Sequence, residues 1–136
     1  MISKSSRAQA SAELLIILGA LAAFFAVLAP AAAQAVGAAK AAAAMQAQQV
    51  AVEKIAALAG QTALLAGSTL EERVWIAVES EFRAADGRVT LEFEAGGKNK
   101  TVEREAPGVA ASSEKLSTGE WIVRASSGRL GFSHEK

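Results

Sequence analysis

The stretch "RAQASAELLIILGALAAFF", from Arg7 to Phe25, decides how this chain is read. A carboxylate, Glu13, stands directly against an apolar run, and no charged side chain follows it until Lys40. The dense part of that run, Leu14 to Ala33, has about the twenty residues that a helix needs to cross roughly 30 Å of hydrocarbon. It is read as a transmembrane span. A buried core helix would need apolar partners on every side, and residues 69–136 are too few and too polar to supply them. A cleaved secretory leader is the stronger competitor, because Lys4 and Arg7 form a positive n-region and "APAAAQA" around Pro30 offers small residues. The apolar stretch is long for such a leader, however, and an acid interrupts the boundary where basic residues belong.

The two basic residues ahead of the span place the N-terminus in the cytoplasm and the rest of the chain outside the cell. Without a single Cys, the exterior part has no disulfide to hold it and depends on packing. Fourteen basic residues balance fourteen acidic ones in the whole chain. No basic surface stands out, so nucleic acid is not an expected partner.

Behind the span, "AAAQAVGAAKAAAAMQAQQVAVEKIAALAGQTALLAG" consists almost wholly of good helix formers. The helix is therefore expected to run on to about Ala66, on the order of 85 Å in all. Pro30 removes one backbone donor and predicts a kink rather than a stop. Gly67 is the expected terminus, in the left-handed position that closes helices.

Beyond Gly67 the period changes from helical to two-residue alternation. "ERVWIAVESEFRA" puts Val74, Ile76, Val78 and Phe82 on one side of a strand and Trp75, Glu79 and Glu81 on the other. Asp86-Gly87 predicts a hairpin turn into Val89, Leu91 and Phe93. "AGGKN" turns the chain again into a strand near Lys100 to Glu105, and "EWIVRASSGRLGFSH" reads as a further hairpin turning over Ser126 to Gly128. "APGVAASSEKLSTG" reads as a surface loop with one helical turn. The expectation is an α+β chain, with residues 9–67 a long helix and 68–136 an antiparallel head of about five strands. Val50, Ile55, Leu58 and Leu65 are the helix side chains expected to cover the apolar face of the sheet.

With those residues in view, the opening stretch resembles the class III signal sequence of archaeal type IV pilin-like proteins. That pattern is a basic residue, a small residue and then Gln-x-Ser-x-Glu leading into an apolar helix, here Arg7, Ala8, Gln9, Ser11 and Glu13. Ala8 stands where related leaders often have Gly. The resemblance implies that residues 1–8 are a leader removed by a prepilin peptidase, which recognises Arg7, Gln9, Ser11 and Glu13 and cuts between Ala8 and Gln9. It implies a pilin-like fold and a homo-oligomeric helical filament built on the N-terminal helix, with Glu13 paired to the Gln9 amine of a neighbouring subunit. It further implies an assembly platform and ATPase as partners, a single-pass membrane precursor and an extracellular mature form. An uncleaved signal-anchored surface protein with a binding head, and a minor pilin or pseudopilin, are the alternatives.

A carboxylate beside hydrocarbon costs several kcal/mol unless it is paired, which is why Glu13 is singled out for assembly. Gly19, Ala23, Ala26 and Gly37 are small enough to let helices approach closely. Asn99-Lys100-Thr101 is an N-glycosylation acceptor in a predicted turn. No enzyme is expected: His134 is the single His, and no Cys nucleophile, metal-ligand spacing or phosphate loop occurs. No cofactor or metal is implied. Trp75 and Trp121 are assigned to packing or subunit contact.

Overall fold

A computed structural model describes the backbone of residues 4–65 and 67–135, and side chains from Gln9 onward. It is an α+β chain: helix α1 (Lys4–Leu64), then β1 (Thr69–Ile76), β2 (Ser80–Ala85), β3 (Arg88–Ala95), β4 (Lys98–Glu105), β5 (Ser112–Leu116), β6 (Gly119–Ser126) and β7 (Arg129–His134). The chain divides into two compact units, Met1–Ala39 and Lys40–Lys136.

In the first unit α1 is already helical at Lys4, ahead of the expected start near Gln9, and it continues through Pro30. Every side chain from Gln9 to Ala39 is exposed. The second unit begins with the rest of α1, which ends at Leu64 rather than beside Gly67. Ser68 N donates to the Leu65 carbonyl at 3.0 Å and Gly67 adopts φ +83°, so the glycine serves the turn that follows the helix.

All strand pairing in the second unit is antiparallel, in two sheets of order β1-β6-β7 and β4-β3-β2-β5. The seven strands exceed the five expected, for two physical reasons. The segment read as one strand from residue 72 to 84 is bent at residues 77–79, and β1 and β2 belong to different sheets. Its inward phase survives the bend, since Val74, Ile76, Ser80, Phe82 and Ala84 are all buried. The presumed loop with a helical turn contains β5, whose SSEKL hardly looks like a strand because only Leu116 is buried. It is held by its ladder to β2, from Ser80↔Leu116 to Ala84↔Ser112.

Three two-residue turns set the registers. Asp86 and Gly87 (φ 52° and 73°) join β2 to β3, Gly96 and Gly97 (63° and 71°) join β3 to β4, and Ser127 and Gly128 (48° and 76°) join β6 to β7. Positive φ at both positions is the primed turn whose twist matches paired strands.

The core of this unit lies between the sheets and one face of α1. Gln48, Ala51, Val52, Ile55, Ala56, Leu58, Ala59 and Thr62 are buried, at the three- and four-residue spacing of a single helix face. Ile55 and Leu58 fill the role assigned to them, but Val50 is 48% exposed and Leu65 57%. Val52 takes the inward position instead. Phe82 in β2 meets Phe132 in β7 with ring centroids 4.6 Å apart, joining the two sheets. Exposed ion pairs flank the helix, Arg104–Glu53 at 2.9 Å on the β4 side and Lys54–Glu72 at 3.5 Å on the β1 side. Pairs so exposed contribute at most about 1 kcal/mol each.

One corner is packed backbone to backbone. A Cβ on Gly128 would collide with the Gly108 carbonyl, and one on Gly108 would come within 2.9 Å of the Ala63 methyl. Gly128→Ala is expected to cost at least about 2 kcal/mol, combining left-handed strain with that collision. Gly131→Ala has no such neighbour closer than 3.9 Å and should stay within about 1 kcal/mol of the parent. Thermal unfolding of the full chain in detergent separates the two.

Candidate assembly site

The residues singled out from the sequence fall into two groups. Gln9, Ser11 and Glu13 lie on α1 and are exposed. Arg7 and Ala8 belong to the helix by backbone, but their side chains lie outside the described residues, so the arrangement of the cleavage site is described only from Gln9 on. Gln9 and Glu13 are four residues apart in a helix and so lie one above the other on the same face. Among the described residues Glu13 forms no ion pair, and the next charged residue after it in the sequence is Lys40.

The surface behind Glu13 is continuous and apolar. Leu15 is 67% exposed, Ile16 71%, Phe25 60% and Val27 73%. Soluble proteins rarely leave so much contiguous apolar area uncovered. By length and composition this is one helix able to cross a membrane. Gly19, Ala23, Ala26 and Gly37 follow one another at spacings of four, three and eleven residues, all close to whole turns, which places the four on one side of the helix. A Cβ added at Gly19 or Gly37 would meet nothing within 4 Å.

In the second unit the apolar openings flank α1. One of about 400 Å³ is lined by Ala43, Ala47, Val50 and Lys54 on the helix and by Val74 and Trp75 on β1. Trp75 is 59% exposed beside it. The other, about 250 Å³, lies between Ala41, Ala42 and Met45 of the helix and Ala95 and Lys100. Sequence reasoning singled out Trp75, and Val50 only as a residue covering the sheet, but not the other helix positions, since an Ala-rich helix marks no face as special.

Asn99 lies in strand β4, opposite Glu94, rather than in the turn itself. It and Thr101 are exposed and, two residues apart, lie on one face of an edge strand. Trp121 is buried, with Nε1 donating to the Ser117 carbonyl at 2.9 Å and the ring edge-on to His134 at 5.0 Å. It is a packing residue. Glu79, Glu92 and Glu94 are exposed and Glu81 is half-buried, bonded to Arg83 at 2.8 Å. That hydrogen bond and charge raise the Arg83 pKa, with no consequence for a group charged at every working pH.

The buried polar residues escaped sequence reasoning. Gln48 Nε2 donates to the Val78 carbonyl at 3.0 Å and to Ser80 Oγ at 2.6 Å, tying the helix to the bend where the chain leaves one sheet for the other. Thr62 Oγ1 donates back to the Leu58 and Ala59 carbonyls, both at 3.1 Å. Among the described residues no group of three or more His, Asp or Glu side chains is placed to hold a metal ion. Comparison with models of protein families, with curated proteins and with solved structures gives no match for this chain.

Proposed function

We propose that this chain is the structural subunit of an archaeal type IV pilus-like surface filament used for adhesion or cell contact. The observation that carries the reading is a wholly exposed apolar helix surface from Leu14 to Ala39, headed by one carboxylate four residues behind Gln9. A prepilin peptidase removes residues 1–8 on the cytoplasmic side. The precursor waits in the membrane with its N-terminus inside, and an assembly platform and ATPase draw it into a helical homo-oligomer outside the cell.

The energetics favour such a route. Moving an apolar helix from lipid into a bundle of sister helices exchanges one apolar medium for another, so hydrophobic transfer contributes almost nothing. Close packing along the small residues Gly19, Ala23, Ala26 and Gly37, and a cationic partner for Glu13, supply the preference. Asn99, on an exposed strand edge, is available for glycosylation on the exterior surface.

Mass spectrometry of the N-terminal peptide of the protein from cells that produce it tests the reading. A mature start at Gln9 supports processing and assembly. An intact Met1 supports an uncleaved surface anchor with a binding domain, and abundance in sheared filaments separates a bulk subunit from a minor one.

A further inference from the structure

We propose that the partner of Glu13 in the assembly is Lys40 of a second copy, and that this pair seats that second chain's neighbour in the grooves flanking α1; the inference rests on the filament reading above. Glu13 and Lys40 are the only charged residues from Ala8 to Val52, and they have opposite signs. Both are exposed, and among the described residues neither forms an ion pair. Each becomes an unpaired charge against apolar side chains once helices pack around it, and each is the other's only available remedy in this part of the helix. They are 27 positions apart in sequence, far outside the three- and four-residue spacing at which side chains of one helix pair.

The amine of a processed Gln9 is a poorer partner. An N-terminal glutamine cyclises when its α-amine attacks the side-chain carboxamide carbon and releases ammonia, and the resulting lactam carries no charge. Lys40 has no such route to neutrality.

An independent observation agrees with the register. Laying Glu13 of one parallel helix beside Lys40 of another aligns each residue with the one 27 positions later. Leu14, Leu15 and Leu18 then fall opposite Ala41, Ala42 and Met45, which line the smaller opening. Ile16, Phe24 and Val27 fall opposite Ala43, Ala51 and Lys54, and Gly19, Ala20 and Ala23 opposite Gln46, Ala47 and Val50, which line the larger one beside Trp75. The large Leu14, Leu15, Ile16 and Phe24 of one copy thus face Ala41, Ala42, Ala43 and Ala51 of the other, while the small Gly19 and Ala23 face the larger Gln46 and Val50. A register several residues shorter would set Glu13 against an uncharged residue, and one 40 positions long would bring it to Glu53, a like charge.

Zero-length carbodiimide coupling of intact filaments, followed by mass spectrometry of their peptides, tests the pair. An amide joining the Glu13 carboxyl to the Lys40 Nζ is expected. Coupling of Glu13 to the Gln9 amine instead, or no coupling at Glu13 in filaments that are otherwise intact, overturns the inference and leaves the filament reading standing. Absence of filaments overturns both. The chain has no Cys, so a chain carrying Ile16→Cys and Ala43→Cys gives a clean second readout. Oxidation should join copies into a ladder of covalent oligomers, and Ile16→Cys alone should not. Lys40→Glu should lower filament yield at least tenfold with the mature terminus unchanged, while Lys40→Arg should hold it within about twofold; equal yields for the two contradict the pairing.

Discussion

Glu13→Ala is expected to leave the chain inserted in the membrane and to abolish filaments. Insertion should not suffer, because replacing a carboxylate by a methyl group at the edge of the apolar run removes a charge that costs up to about 2.5–3.5 kcal/mol at the centre of a span. Assembly should fail because, in the proposed filament, the cation paired with Glu13 would be left without its partner. Breaking a buried pair from one side typically costs about 3–5 kcal/mol, and about 1.4 kcal/mol is a factor of ten in an equilibrium constant. The concentration of subunit needed to sustain growth therefore rises by more than about a hundredfold. Separating sheared material from membranes and quantifying the chain in each measures the effect, with the mature terminus read in both fractions because Glu13 also belongs to the proposed peptidase motif. Normal filaments from this variant would contradict the role given to its charge.

Phe82→Ala carries the largest expected effect on folding. Its ring is fully buried in β2, a central strand between β3 and β5, and touches Phe132 of the other sheet. Truncating a buried Phe costs about 3–5 kcal/mol through lost transfer energy and the cavity left behind. Total stabilities are only about 5–15 kcal/mol, and this unit has no disulfide. Loss of the cooperative transition near physiological temperature is expected, followed by near-ultraviolet circular dichroism of the full chain in detergent, where Trp75 and Trp121 report tertiary packing. Trp75→Ala, at a site 59% exposed, should shift stability by no more than about 0.5 kcal/mol. A similar loss for both would mean that the core is not where the burial places it.

The parts of the fold legible from sequence are those where local chemistry has few alternatives. Asp86-Gly87, Gly96-Gly97 and Ser127-Gly128 tolerate positive φ and mark their hairpins, and the alternation of Val89, Leu91 and Phe93 assigns the inner face of β3 without ambiguity. The division of residues 72–84 between two sheets was hidden because alternation reports which face a side chain takes, not which strand its backbone pairs with. β5 was hidden for a related reason, since a polar segment with one inward Leu looks like a loop until its partner β2 is known.

Along α1, alanine on every side removes the contrast that would distinguish the inward Val52 from the outward Val50. Gln48 and Thr62 are polar, so only the tertiary hydrogen bonds they make account for their burial. Along the apolar helix, Glu13 could be picked out because a charge beside twenty apolar residues needs a reason, and Gln9 and Ser11 because they stand in the pattern on which the resemblance rests. The openings at Ala43 and Trp75 could not, because they exist only where a helix face and a strand edge come together in three dimensions.

Electron microscopy of material sheared from cells that produce the chain, with the subunit's N-terminus determined on the same sample, is the most direct measurement. Filaments built from a subunit that begins at Gln9 are expected. A chain found only as a dissolved or membrane-held monomer that still begins at Met1 would contradict assembly through the apolar helix.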